Sequence, residues 1–371
     1  MKERTTNILI YKNQMQISKK LRPLLGFVPI KRVKDTLAQT TQLYRATTRL
    51  PFRKHLKSRF PAANVTRLNE DVAHDTMFCD TPAHDDGIKS HGGTTMAQLY
   101  TGCTSNLSAI FPMKEEGQIP GTLEEFIRKW GAPKRFRSDL AKAAISNAAT
   151  QIMRHYCIGD WQSEAYHQHQ NKAENKMHKI KTMMNGIMDR YAIPAKYWLL
   201  IVLYVVDLMN HLSGSDGSPP PLTRATGQPT DTSAYMIYHP WELVYYPQDD
   251  SHPQTKEALG RWLGPADSVG DTLTYNILTL DTGQLIYRSN VRSAENTSTP
   301  NKRALSDISV GENSTTKPNL VSPSEILNHI VDVDSEDDTQ TYKTPVYSPA
   351  ELVGMTFLRD QEDGTVIRAK I

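Results

Sequence analysis

The chain has 371 residues but three cysteines, Cys79, Cys103 and Cys157, far apart and without a Cys-x-x-Cys pair. That spacing excludes a disulfide framework and points to a reducing compartment. Long apolar runs are also missing. The longest, Tyr197 to Val206, lies between Lys196 and Asp207, too short to span a bilayer and suited to a buried helix. Lys2, Glu3 and Arg4 open the chain and lead into only a short apolar stretch, so neither a secretory leader nor membrane insertion is expected. The first 70 residues hold one histidine, His55, and no cysteine, and a zinc site needs about four such ligands, so no zinc site is expected. Phosphate-loop and dinucleotide fingerprints are absent, as are a Gly-x-Ser-x-Gly elbow and a Cys–His pairing for acyl transfer. Asp281-Thr-Gly283 matches the aspartic-protease triplet, but a turn between two strands explains so short a match. Hydrophobic residues are 38%, below the roughly 45% usual for a globular chain.

What is present is a charge asymmetry. The net charge is +3, yet residues 1–70 carry 16 Lys/Arg against 3 Asp/Glu, a net of +13. Residues 71–294 have a net of −4 and residues 295–371 a net of −6. A basic segment of this density suits a polyanion.

The organisation follows from composition and periodicity. Residues 1–70 read as a basic, mostly helical arm. Residues 71–212 read β-β-β-α-β-α-(β)-α-α. Thr76 to Cys79, Met96 to Tyr100 and Leu107 to Met113 form the first strands. Leu123, Phe126, Ile127 and Trp130 repeat at helical spacing and stop at Gly131-Ala132-Pro133. A short strand at 136–139, a helix at 145–156 and a long helix from about Gln170 to Tyr191 follow. A second apolar helix then runs through Asn210. Residues 213–235, rich in Gly, Ser, Pro and Thr, read as a linker, and 236–294 as a small β domain. Residues 295–371, with an acidic run at 332–338, read as a largely disordered tail.

Three acidic residues stand where chemistry would need them. Asp80 ends the first strand, Asp139 a later one, and Glu174 opens the long helix, 35 positions after Asp139. Phosphodiester transfer needs one oxygen activated and another neutralised, which two Mg²⁺ ions do. Mg²⁺ takes hard oxygen ligands and keeps several waters, so a few carboxylates suffice. Asp75 is a second candidate for the first aspartate. Asp80 is preferred here because the Thr81-Pro82 turn follows it directly.

These stretches carry a resemblance. Asp75-Thr-Met-Phe-Cys-Asp80-Thr-Pro-Ala, Arg137-Ser-Asp139-Leu-Ala-Lys, His167-Gln-His-Gln-Asn171-Lys-Ala-Glu174-Asn-Lys and Tyr275-Asn-Ile-Leu-Thr-Leu-Asp-Thr-Gly-Gln-Leu-Ile-Tyr-Arg-Ser occur in order. Together they resemble the integrase region of copia-type retrotransposons, most closely the copia-like elements of diatoms, over roughly residues 20–294. The sequence departs from the family pattern where Leu140-Ala141-Lys142 replaces Asn-Gly-Gly. The resemblance implies a ribonuclease-H-like α/β core with a small β module. It implies metal-dependent strand transfer in DNA integration, with Asp80, Asp139 and Glu174 as catalytic and metal-binding carboxylates for two Mg²⁺ (or Mn²⁺) ions. It also implies DNA as partner, a homo-oligomer on DNA ends, and a site of action in the nucleus after passage through the cytoplasm. Ser348 to Ile371 resembles the stretch that leads towards reverse transcriptase in such polyproteins, so the chain is expected to be a fragment of one.

Glu174, His178 and Lys181 fall within about 60° of one another on a helix. In the family, cations at these positions touch DNA phosphates. Asn171, Lys172 and Lys176 join the expected DNA-binding set, with Lys172, Lys176 and Lys179 on a different face. The competing expectation is a decayed or domesticated copy that binds nucleic acid without chemistry.

Overall fold

The computed structural model describes residues 17–45, 59–79, 93–138, 146–162, 172–248, 256–267, 269–270, 273–296, 298–305, 356–360 and 366–370. It divides into two units, Met1–Thr315 and Thr316–Ile371. Within the second, β11 (Thr356–Asp360) and β12 (Val366–Lys370) pair antiparallel. Among the described residues no helix is long and apolar enough to cross a membrane.

The first unit is built on two sheets. The first contains β1 (Asp71–Phe78), β2 (Met96–Gly102), β3 (Ser108–Met113), β4 (Arg135–Ser138) and β5 (Gly159–Gln162), in the order β3-β2-β1-β4-β5. β1, β2 and β3 are antiparallel, whereas β4 joins β1 and β5 joins β4 in parallel. The helices α1 (Ile30–Gln39), α2 (Ile119–Trp130), α3 (Asn147–His155), α4 (Lys172–Arg190), α5 (Trp198–His211) and α6 (Pro221–Thr226) surround it. A central strand flanked by a meander on one side and parallel strands on the other is the mixed α/β, ribonuclease-H-like arrangement expected.

Strand alternation separates two cores. Val72, Tyr100 and Phe136 face α2 and α3, where Leu123, Phe126, Ile127, Trp130, Ala149 and Met153 are buried. Met77, Ala97, Leu99 and Ile110 face Met177, Ile180 and Ile187 of α4 and the length of α5. α2 ends at Gly131, whose φ of +102° suits glycine. A Cβ there would also lie 2.6 Å from the Thr66 carbonyl oxygen. That close approach lets Ala132 N–H donate to Thr66 O at 2.7 Å and fixes the entry into β4. α3 begins at Ser146, whose hydroxyl accepts from Ala149 N–H.

α5 is apolar around nearly its whole circumference, and a helix of that kind needs cover on every side. The second sheet supplies part of the cover. It consists of β6 (Leu243–Pro247), β7 (Glu257–Pro265), β8 (Tyr275–Thr279), β9 (Leu285–Arg288) and β10 (Arg292–Ser293), in the antiparallel order β10-β6-β7-β8-β9. Trp241, Val244, Trp262, Tyr275 and Ile277 belong to the same core as Leu199, Val202 and Val205. The β module is therefore continuous with the core rather than suspended from it. Asp281-Thr-Gly283 is the turn between β8 and β9, closed by Gly283 N–H donating to Thr279 O.

The stretch expected as a linker, residues 213–235, is packed. α6 lies inside it, and Thr230, Thr232, Ser233 and Tyr235 are buried. Part of the basic arm holds it there. Arg32 Nε donates to Ser213 O at 2.6 Å, Gln39 Nε2 to Gly217 O at 2.8 Å, and Thr41 N–H to Thr230 O at 2.8 Å. Polar composition misleads here because hydroxyl side chains and backbone groups satisfy one another, as in the Thr40–Thr232 contact at 3.1 Å. In a similar way Asn210, buried on α5, accepts from Ser108 N–H and donates to Ser108 O. One amide thus completes both hydrogen bonds of an edge-strand residue.

Candidate functional site

The sequence puts the expected site at the end of β1, just after β4 and at the start of α4. Asp80, Asp139 and Asn171 fall outside the described residues. Asp75 and Glu174 are described. Asp75 lies opposite Leu99 of β2, and Leu99 belongs to the core beneath α4 and α5. Side chains alternate along a strand. Asp71, Ala73, Asp75 and Met77 therefore take the side covered by α4, while Val72 and His74 take the other. The ring contacts of His74 with Tyr100 and Phe136 agree with this division. Asp75 is half-buried, and its Oδ1 accepts from Thr76 N–H at 2.8 Å.

Glu174 sits in the first turn of α4, exposed, next to buried Ala173. The buried stripe of α4, Ala173, Met177 and Ile180, faces β1 and β2, so Glu174 stands at one edge of that contact. His178 is exposed and Lys181 half-buried on the Glu174 flank. Lys172 and Lys176 lie on the opposite flank, about 160° away around the helix. Among the described residues no group of three or more His, Cys, Asp or Glu is arranged to hold a metal ion. Asp75 and Glu174 are both accessible carboxylates on the α4 side of the sheet, and hard oxygen donors are the type Mg²⁺ takes.

Sequence reading overlooked a charge cluster on the same sheet face. Asp71 accepts from Arg135 Nε and an Arg135 terminal nitrogen at 3.1 and 2.7 Å, and from Arg137 at 3.0 and 2.6 Å. The parallel register pairs Asp71 with Arg135 and Ala73 with Arg137. The Arg137 guanidinium also lies 5.0 Å over the Trp161 ring, its neighbour on β5. The Arg135-x-Arg137 alternation was the available signal, since a strand puts both on one face. The hydrogen bond from Arg135, and then those from Arg137, hold the Asp71 carboxyl below its ordinary 3.8 against the opposing effect of burial.

A depressed carboxylate stabilises the fold above its unfolded pKa, and that contribution is lost as pH falls through the folded value. Asp71→Asn is therefore expected to destabilise the protein at pH 7 and to approach wild type once the pH drops below about 3.8. Urea unfolding at pH 7 and pH 3 measures the gap. An equal gap at both would show that Asp71 acts through shape alone.

His74 is neutral at physiological pH, because burial pulls its ring to about 4. Its Nδ1 lies 2.9 Å from Gln98 Nε2, and Gln98 Oε1 accepts from the Thr76 hydroxyl at 2.7 Å. This network braces β1 against β2 on either side of Asp75.

No protein-family model matches the chain, and no curated protein matches it. Solved structures similar to it include three retroviral chains. One belongs to the simian T-cell lymphotropic virus intasome in complex with PP2A regulatory subunit B56 gamma. It is 14% identical over 61% of this chain and 82% of that chain, with a TM-score of 0.33. Another is the HTLV-2 integrase catalytic core domain in complex with magnesium (dimeric form), 13% identical over 43% and 97%, TM-score 0.33. The third is the catalytic core domain of BIV integrase, 12% identical over 42% and 93%, TM-score 0.33.

Proposed function

We propose that this chain is an integrase-type polynucleotidyl transferase that joins DNA strands by metal-dependent strand transfer, and that it derives from a copia-type retrotransposon polyprotein. The observation that carries the reading is the arrangement of β1, β4 and α4. Asp75 and Glu174 stand on one side of a β3-β2-β1-β4-β5 sheet. In the sequence Asp139 comes directly after β4, whose Arg135 and Arg137 meet Asp71 on that side. The ordered motifs of the sequence support it independently.

In this reading Glu174, Asp139 and one aspartate of the β1 region hold divalent metal. Asp75 takes the third place in this reading, because it lies within β1 on the side that α4 covers. Two Mg²⁺ ions, when bound, would activate the attacking 3′-hydroxyl and neutralise the leaving oxygen. The 3′-hydroxyl oxygen bonds to a target phosphorus and loses its proton, and the leaving 3′ oxygen takes one up. His178 and Lys181, on the Glu174 flank, steady the phosphates. The protein acts in the nucleus as a homo-oligomer on DNA ends.

A strand-transfer assay with Mg²⁺ or Mn²⁺ tests the reading, comparing wild type with Glu174→Gln. The amide keeps the shape but removes the charge, and loss of joined product by at least roughly 100-fold is expected. Product from wild type that persists undiminished in the variant would discard Glu174. No product from either would favour the alternative of a nucleic-acid-binding relic, for which the Leu140-Ala141-Lys142 departure is the specific sign. Cleavage without joining would indicate a nuclease.

A further inference from the structure

The turn that leads into β6 carries a histidine whose two ring nitrogens both meet acceptors. His239 Nδ1 lies 3.0 Å from Pro240 O, and Nε2 lies 3.1 Å from Oε1 of Glu295, two residues after β10. Neither a carbonyl oxygen nor a carboxylate oxygen has a proton to give. Both nitrogens therefore donate, and only the imidazolium form can do that. Either neutral tautomer would turn a lone pair towards one of those oxygens. Glu242 stands beside the ring, buried, with Oε2 3.8 Å from Nε2.

The backbone of this turn has little room to yield. Trp241 holds a φ of +68°, uncommon for a bulky side chain. Trp241 N–H donates to Trp262 O, and Trp262 N–H to Glu242 O, each at 2.9 Å. Glu242 Oε2 accepts from His239 N–H at 2.8 Å. On its open face the imidazole stacks on Tyr191, with centroids 4.6 Å apart and planes 3° from parallel. Tyr191 directly follows α4, where its N–H donates to Ile187 O at 3.1 Å, and its ring also meets Phe27.

We propose that His239 is a proton-operated clasp that, when charged, fastens the end of α4, through Tyr191, to the β module and releases it when Nε2 gives its proton to solvent. Nε2 is the nitrogen that yields. The Nδ1 partner belongs to the next residue of a fixed turn, whereas Glu295 is half-exposed and free to swing away. Deprotonation weakens two contacts together. The ion pair becomes a lone pair facing an oxygen, and the stack loses the attraction of a cation for the tyrosine face.

The groups around His239 are Tyr191 and Arg190 from the end of α4, Glu242 in its own turn, Glu295 after β10, and Arg261 of β7, which acts on Glu295. Burial alone would lower the His239 pKa, but Glu295, the Pro240 carbonyl and Glu242 carry it above 6.5. A raised pKa contributes its full stability below the unfolded value and loses it as pH rises through the folded one. The clasp is thus shut in mildly acid solution and opens on the alkaline side.

The test uses NMR of the full chain labelled at its histidine rings. It adds amide exchange over residues 187–193 at pH 6 and pH 8.5, corrected for intrinsic rates. His239→Phe identifies the resonance and keeps an uncharged ring on Tyr191. The His239 midpoint is expected above 6.5, and lower in Glu295→Gln than in wild type. Wild type is expected to lose protection over that segment about 5-fold between the two pH values, as a charged hydrogen bond at a partly exposed site warrants. His239→Phe should be equally protected at both. Glu295→Gln changes a half-exposed side chain, so it stays readable even if His239→Phe does not fold. A midpoint at or below 6.5 would overturn the imidazolium. A midpoint that Glu295→Gln leaves in place would overturn the ion pair. A raised midpoint with protection that ignores pH, or that changes as much in His239→Phe, would overturn the clasp.

Discussion

Asp75→Asn is expected to reduce strand transfer by at least roughly 100-fold with Mg²⁺, as loss of a metal-binding carboxylate does. Asp80→Asn is expected to keep activity within about 3-fold of wild type. The reason is parity. A strand turns alternate side chains to opposite faces, and positions 75 and 80 differ by an odd number. β1 ends at Phe78, and within it Asp75 has the parity that faces α4. Asp71, Ala73 and Met77 share the parity of Asp75, and Met77 packs beneath α4 and α5. The register adds a second argument. β1 and β4 run parallel with Asp71 opposite Arg135, Val72 opposite Phe136 and Ala73 opposite Arg137. Asp75 lies two positions beyond Ala73, the residue paired with Arg137, and in the sequence Asp139 follows Arg137 by the same two positions. The assay also needs DNA binding measured in EDTA, where both variants should equal wild type. The opposite pattern, with Asp80→Asn inactive and Asp75→Asn active, would return the metal to the strand–turn junction that the Thr81-Pro82 motif suggested.

Elements with a strong period could be read directly from sequence. Leu123, Phe126, Ile127 and Trp130 predicted α2, which begins four residues before Leu123, at Ile119. β2 and β3 lie close to their expected positions, and the long helix is described over Lys172–Arg190, with Gln170 and Asn171 outside the described residues and Tyr191 just past its end. β7 was less visible. It runs Glu257–Pro265, and Gly260 interrupts the alternation of Glu257-Ala-Leu-Gly. Packing between distant segments was harder still. Nothing local in Gly214-Ser-Asp-Gly-Ser says that Thr36 Oγ1 accepts from Ser213 N–H at 3.0 Å. For the site, the helical period correctly grouped Lys172 and Lys176 away from Glu174. It could not reveal that Lys176 feels the charge of Arg32, from over 140 residues upstream, and Lys172 that of Arg224, about 50 downstream. The first aspartate was ambiguous for a related reason. A turn motif marks where a strand ends, whereas the pairing of β1 with β4 decides which of its side chains reach the site.

A chain ending at residue 235 is expected not to fold cooperatively, even though residues 71–212 read as a complete catalytic core. The argument starts from α5. Trp198, Leu199, Leu200, Ile201, Val202, Tyr204, Val205, Val206, Leu208 and Met209 are all buried. A sheet on one side and α4 beside it cannot cover so wide an apolar surface, since a helix facing a single layer buries only a stripe. Trp262 contacts Tyr204 ring to ring with centroids 5.8 Å apart, and with Tyr238 and Tyr275 it closes the far side. Removing β6 to β10 would expose these residues together, and each large side chain is worth about 1.5–3 kcal/mol of burial. The truncated chain should bind a hydrophobic dye and lack near-ultraviolet circular dichroism. Trp262→Ala in the full chain isolates the same contact. Trp262 is fully buried, so the cavity left is expected to cost about 3–5 kcal/mol in urea unfolding. Because both sheets draw on one core, tryptophan fluorescence and far-ultraviolet circular dichroism should report a single shifted transition. Two separate transitions, with only one displaced by Trp262→Ala, or a truncated chain that unfolds cooperatively, would establish the β module as an independent domain.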